Sequence, residues 1–139
     1  MNRSKDETNV RVRNQGLRAF GQVQAQLLAY IKGKGVGGAV RQATNKATAV
    51  TINKPTGSIT TNNASLAGAA TVSFTVNNDQ VKANDVVNVS VKSGADTGLY
   101  TAQVTAVADG SFQVSLTNIG STASEVVVVN YAVIGGSVN

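Results

Sequence analysis

Thr71-Val72-Ser73-Phe74-Thr75-Val76-Asn77 alternates polar and apolar side chains over its whole length. Successive side chains of a strand point to opposite faces, so this period of two sends Val72, Phe74 and Val76 inward and leaves the threonines, serine and asparagine outside. The same pattern recurs on the C-terminal side. Val87, Val89 and Val91 alternate with Asn88, Ser90 and Lys92, and Phe112, Val114 and Leu116 with Ser111, Gln113, Ser115 and Thr117. Tyr100, Ala102, Val104 and Ala106 form a weaker set. Upstream, Val50 and Ile52, then Ile59, mark two short strands either side of Lys54-Pro55-Thr56-Gly57, where Pro and Gly stand in the places that turns use. About seven short strands with frequent turn signals predict an all-β domain over residues 42–139, an antiparallel β-sandwich of Ig-like or jelly-roll type.

Two stretches of that domain ask for more than alternation. From Glu125 to Ile134 the run Val126–Val129 is continuously apolar, which predicts a strand covered on both faces. Such a strand is either central or a subunit contact, and the second option makes Val127, Val129, Tyr131 and Val133 candidates for self-association. The other stretch is the hairpin at Asp109-Gly110. A two-residue turn there would pair Val107 with Phe112 but set Val104 and Ala106 opposite Ser115 and Gln113. A three-residue loop, Ala108-Asp109-Gly110, instead pairs Ala106 with Phe112, Val104 with Val114 and Ala102 with Leu116. Register follows the hydrophobic pattern, so the longer loop is expected, with Gly110 left-handed in a bulge.

Composition narrows function by exclusion. The chain of 139 residues has no Cys, His or Trp. Disulfides, thiol or imidazole nucleophiles and zinc sites with nitrogen or sulfur ligands are therefore ruled out. Seven carboxylates remain for acid–base or oxygen-ligand chemistry. Charged residues are 14% of the chain, against about a quarter in an average domain, while Val, Thr, Ser and Asn supply 61 of the 139 residues. This is the side-chain inventory of a structural or binding protein, not an enzyme, and no cofactor or metal is expected. A core built from Val and Ala with three Phe buries limited apolar area, so a modest stability margin is expected.

The net charge of +5 is unevenly distributed. Residues 1–41 carry eight cations against Asp6 and Glu7, a balance of +6, and residues 42–139 carry four Lys against five acids, a balance of −1. The basicity thus belongs to an N-terminal arm. Within it Leu17, Phe20, Leu27, Leu28 and Ile31 fall on one helical face over about residues 16–32, interrupted by Gln24. Gly16 and Gly21 each cost about 1 kcal/mol against Ala in a helix interior, so such a helix needs a surface to lie on. Four glycines within residues 33–38 read as a flexible linker. The reading preferred for this arm is an extended or helical segment that docks on another protein. Leu17, Phe20, Leu27, Leu28 and Ile31 would enter a groove, with Arg11, Arg13 and Arg18 on its acidic rim. A signal peptide is not expected, since Gln22, Gln24 and Gln26 break any apolar core. A membrane-surface helix and a nucleic-acid arm are the weaker readings, the latter lacking interleaved aromatics. So is a helix folded back on its own β domain.

Several motifs match by letter and fail on context. Gly33-x-Gly35-x-x-Gly38 has the dinucleotide spacing but lacks the strand before and the helix after that phosphate binding requires. Asp96-Thr97-Gly98 matches the aspartic-protease triplet, yet its neighbours read as a loop between strands rather than the end of a buried strand. Asp79, Asp85, Asp96 and Asp109 sit at turns, without the alternating spacing of a calcium loop. Asn63-Ala64-Ser65 and Asn88-Val89-Ser90 are glycosylation sequons by letter alone.

The β region resembles a small domain that recurs in virion proteins of tailed bacteriophages. The matching pieces are residues 42–54 (Gln42 to Lys54), Gly57-Ser58-Ile59-Thr60, Thr71 to Asn77, and Ser124 to Ile134, within about two thirds of the chain. The arm lies outside the resemblance. Proteins of this look are β-sandwiches that decorate or cement capsids, or that form attachment domains of head fibres and tails. The resemblance therefore implies a structural protein on the virion exterior, made in the host cytoplasm. Its partners would be the major capsid protein and further copies of itself, as a trimer or dimer; from the arm's own residues no membrane partner is expected and nucleic acid is disfavoured. The alternative it leaves open is a head-fibre or tail module whose sandwich binds a host glycan or receptor.

Overall fold

The structure, a computed structural model, describes residues 37–136. They form eight strands: β1 (Gly37–Arg41), β2 (Val50–Thr51), β3 (Thr56–Thr60), β4 (Thr71–Asn77), β5 (Val86–Ser93), β6 (Tyr100–Ala108), β7 (Ser111–Asn118) and β8 (Val128–Ile134). Two four-stranded sheets result, one ordered β1-β3-β8-β5 and the other β2-β4-β7-β6. We call them sheet I and sheet II. Among the described residues there is no helix, and the two sheets make the sandwich that the alternating segments predict.

The strand directions depart from an all-antiparallel sandwich. β1 runs parallel to β3 and β2 parallel to β4, while every other pair is antiparallel. The cause is the path of the chain. From β1 to β4 each connection both reverses direction and changes sheet, so alternate strands meet again in one sheet pointing the same way. Only β6 and β7 are consecutive strands paired as a hairpin. The connections gather at two ends. One, the near pole, holds residues 53–55, 78–85 and 109–110 together with the start of β1 and the end of β8. The other, the far pole, holds residues 42–49, 61–70, 94–99 and 119–127.

β1 corrects the expected domain boundary. Gly37 and Gly38, read as linker, and Arg41, assigned to the arm, pair residue by residue with Thr56 to Thr60. Glycine composition hid this strand, whose single apolar residue of any size is Val40. The remaining linker residues 33–36 and the expected helix over about 16–32 lie outside the described residues.

The β6–β7 hairpin corrects the second expectation. Its turn is the two-residue Asp109-Gly110, with Ala108 paired to Ser111, Val107 to Phe112 and Ala106 to Gln113. A register shift between Val104 and Ala106 leaves Thr105 as the extra residue, after which Val104 pairs with Val114 and Ala102 with Leu116. A bulge turns over the inside and outside of a strand. Ala102, Val104 and Val107 therefore all pack toward the core although their spacing is odd. The hydrophobic pattern and the tight turn are both kept, and the irregularity sits inside the strand. Gly110 has φ +81°, as its place in the turn demands.

The core is in two parts. The larger, toward the near pole, joins Val50, Ile52, Ile59, Phe74, Val76, Val81, Val87, Phe112, Val114, Tyr131 and Val133. The smaller, toward the far pole, joins Leu66, Tyr100, Leu116, Val127 and Val129. In the larger part the Tyr131 ring lies 5.3 Å from that of Phe112 at a tilt of 51°. It also lies against the backbone of Gly57, where an added Cβ would meet Tyr131 Cε1 at 2.9 Å and Ile52 Cδ1 at 2.8 Å. That glycine therefore serves close packing, not the turn that its neighbourhood suggests.

Candidate functional site

The structure takes the self-association candidates out of contention. Val129, Tyr131 and Val133 are buried within the sandwich because β8 lies between β3 and β5 in sheet I and turns them to the core, and Val127, just before β8 and bonded to Thr61, is buried with them. The apolar run thus marks a central position. Its alternate residues Val128, Asn130 and Ala132 are only half-buried, so the strand is not sealed on both faces. The arm candidates Arg11, Arg13, Leu17, Arg18, Phe20, Leu27, Leu28 and Ile31 lie outside the described residues.

What remains are two poles and two outer faces. At the far pole Lys46 is buried, an unusual place for a lysine. Its Nζ donates to the carbonyl oxygens of Asn62 at 2.5 Å and Glu125 at 2.6 Å. Burial lowers its pKa, partly opposed by the nearby Glu125 carboxylate. Gln42, also buried, donates to Lys46 O and Thr48 O at 2.9 Å each and accepts from Asn62 N–H. These two side chains sew the first connection to the loops beside it.

Glu125 holds the loop that contains the protease-like triplet. Its carboxylate accepts the backbone N–H of Thr97 at 2.5 Å and of Gly98 at 3.0 Å. Those bonds, first that of Thr97, keep its pKa below the usual value. Asp96-Thr97-Gly98 is a clamped loop between β5 and β6. Beneath it Tyr100 is buried with no hydrogen-bond partner for its hydroxyl. Burial, and then the Glu125 charge, push its pKa up. Leu99 and Ile119 project from this pole, 55% and 62% exposed, and are joined by the bond from Ile119 N–H to Leu99 O at 2.7 Å.

The near pole repeats the carboxylate device. Asp85 accepts the N–H of Lys82 at 2.9 Å and of Gly136 at 3.1 Å, and those bonds lower its pKa. Asp109 accepts the N–H of Ala83. Asp85 and Asp109 therefore hold backbone, as their positions suggested, while the Asp79 carboxylate accepts, among the described residues, only the side chain of Gln80. Among the described residues no three acids gather where a metal could bind. No helix of the described residues is long and apolar enough to cross a membrane.

The outer faces differ in charge. Sheet II shows Thr71, Ser73 and Thr75 beside Thr117, Ser115 and Gln113, with Thr101 and Gln103 on the edge strand. No charged residue stands among them. Their hydroxyls pair across strands, Thr71 with Thr117 and Ser73 with Ser115 at 2.7 Å each. Sheet I carries a shallow groove of about 590 Å³ lined by residues of β1 and β3 and by Lys92, Asn130 and Tyr131. Sequence patterning does not reveal this surface, because its residues are small and polar and β1 gives no strand signal. The aromatics Phe74, Tyr100, Phe112 and Tyr131 are all buried, so none of them offers a stacking platform for a sugar ring.

Comparison with known proteins finds no match: no family model, no curated protein and no solved structure resembles the chain closely enough to register.

Proposed function

We propose that the chain is a non-catalytic structural protein that fastens a β-sandwich to a larger assembly through its basic N-terminal arm. The assembly suggested by the sequence resemblance is a tailed-phage capsid, with the arm on the major capsid protein and the sandwich on the virion exterior. The observation that carries this reading is where the described region begins and ends within the fold. Thr56 of β3 is flanked by Gly37 of β1 on one side and Ala132 of β8 on the other. Gly37 and Gly136 thus both lie at the near pole, and in this reading the far pole stands away from whatever holds the arm. Conformational entropy lost when an arm orders is offset by many symmetry-related contacts on a lattice.

Removing residues 1–36, two fewer than the glycine pattern alone would have suggested, leaves every described strand in place. The expected result is a folded sandwich that no longer binds purified heads assembled without this protein. Wild-type occupancy by the truncated chain would dismiss the arm as the fastener. The glycan-binding alternative gains nothing from the buried aromatics, and binding of the sandwich to a host glycan array would revive it.

A further inference from the structure

We infer that the outer face of sheet I is a second docking surface, one that seats an extended acidic segment of a partner protein across its strands between Arg41 and Lys92. This rests on the reading of the chain as a docking protein and adds the chemistry of what it meets. The rows of the sheet define the site. Ala39, Ser58, Asn130 and Ser90 are neighbours across β1, β3, β8 and β5. In the next row Arg41, Thr60 and Val128 are neighbours, and Lys92 lies at the irregularity between Val91 and Ser93. Apart from Val128 and Tyr131, the floor between the edges is glycine, alanine, serine, threonine and asparagine, low enough for a backbone to approach. A cation stands at each edge.

Charge selects the occupant. Arg41 and Lys92 are both exposed and, among the described residues, neither side chain forms an ion pair or a hydrogen bond. All five acids of the described region lie in the polar loops: Asp79, Asp85 and Asp109 at the near pole, Asp96 and Glu125 at the far one. The face itself thus carries two cations and no acid, whereas that of sheet II is uncharged. Ser58 Oγ donates to Asn130 Oδ1 at 2.9 Å, which leaves the Asn130 amide N–H groups directed at no protein acceptor among the described residues. Three strand spacings separate β1 from β5, about 14 Å. Two carboxylates four residues apart on an extended chain span about 13 Å, the same reach. The other cations of the chain's basic half belong to the arm, which joins the sandwich at Gly37, a residue that itself lines the groove. Arm and face therefore ask for the same partner chemistry.

The test uses the full chain and a capped pentapeptide, Glu-Ser-Gly-Ser-Glu, titrated while backbone amide resonances are followed. Shifts concentrated at Ala39, Ser58, Lys92 and Asn130 are expected, lost with Gln in place of both Glu. The double variant R41Q/K92Q, with unchanged thermal stability because both side chains are exposed, should raise the Kd at least tenfold. Shifts confined to sheet II or the poles, equal binding of the Gln peptide, or unaltered binding by the variant would each overturn the inference. Tighter binding of a single-stranded oligonucleotide on the same residues would overturn it too, replacing the protein partner by nucleic acid. Arm and face fail separately. If the truncated chain leaves heads while R41Q/K92Q binds them normally and ignores the peptide, the arm stands and the face falls. If the truncated chain stays on heads while R41Q/K92Q leaves them and loses the peptide, the face stands and the arm falls.

Discussion

The two poles are built alike and differ in what they bury. Each has a carboxylate accepting two backbone N–H groups, Asp85 at the near pole and Glu125 at the far one. Each also caps a core cluster containing one tyrosine. Near-pole Tyr131 donates to Lys54 O at 2.8 Å and accepts from Asn78 Nδ2 at 3.4 Å, while far-pole Tyr100 has no partner for its hydroxyl. The near cluster has eleven buried members and the far one five. The near pole, where Gly37 and Gly136 lie, is thus packed by apolar volume, and the far pole is held by polar stitching through Gln42, Lys46 and Glu125. Were the domain held through the segment before Gly37, as proposed, the hold would fall on the more heavily packed pole.

The largest test of that contrast is Phe112→Ala, which empties the centre of the near cluster. Thermal or denaturant unfolding should show a loss of about 3–5 kcal/mol; a loss comparable to a surface change would mean that the cluster does not carry the near pole. Lys46→Met follows, at about 1–3 kcal/mol, because two part-buried carbonyls lose their donor. Hydrogen exchange should place the loosening in residues 61–70 and 119–127, and uniform loosening would deny that the stitching is local. Next come the tyrosines. Tyr131→Phe should cost about 1 kcal/mol for its lost hydrogen bond, and Tyr100→Phe nothing, since its hydroxyl has no bond to lose. Equal effects would erase the distinction between the poles.

The smallest effect is in the pH dependence. Asp85 and Glu125 have folded pKa values depressed below their ordinary ones, so their stabilisation is present above the unfolded values and lost as pH falls through the folded ones. D85N and E125Q should each flatten the acid limb of the stability curve, and an unchanged limb in both would remove the carboxylates from the account. At the alkaline end, burial pushes the Tyr131 pKa up to about 12. Its contribution is intact below the unfolded value near 10 and disappears as pH rises from there toward 12. Y131F should delay that decline.

Much of the sandwich could be read from alternation, since strands β4, β5, β7 and the inward residues of β8 follow a strict period of two. What escaped has physical reasons. Gly37 to Arg41 carries too little apolar character to announce a strand, and its parallel pairing with β3 depends on the path of the chain and not on its own residues. The bulge at Thr105 reconciles two rules, tight turn and hydrophobic register, that exclude each other in a regular hairpin. Val127, Val129, Tyr131 and Val133 are apolar enough for either a core or an interface, and only the neighbours of β8 decide between them. The groove on sheet I is illegible for the opposite reason: it is made of residues that signal nothing singly, and Arg41 and Lys92, fifty-one positions apart, become a pair only across four strands.

The place of Gly37, at the near-pole start of a strand paired along its whole length with β3, has a mechanical consequence. If the arm is held and the sandwich is dragged away from it, the pull enters at Gly37 along the strand axis. β1 is then loaded in shear: its hydrogen bonds to β3, which lie across the pull, share the force and must rupture together. The same strand pulled sideways, across the sheet, would be peeled one bond at a time. A sandwich tethered in this way would resist detachment by tension along its strands far better than its small core suggests, and a pull applied between residues 37 and 136, both at the near pole, should open it at much lower force.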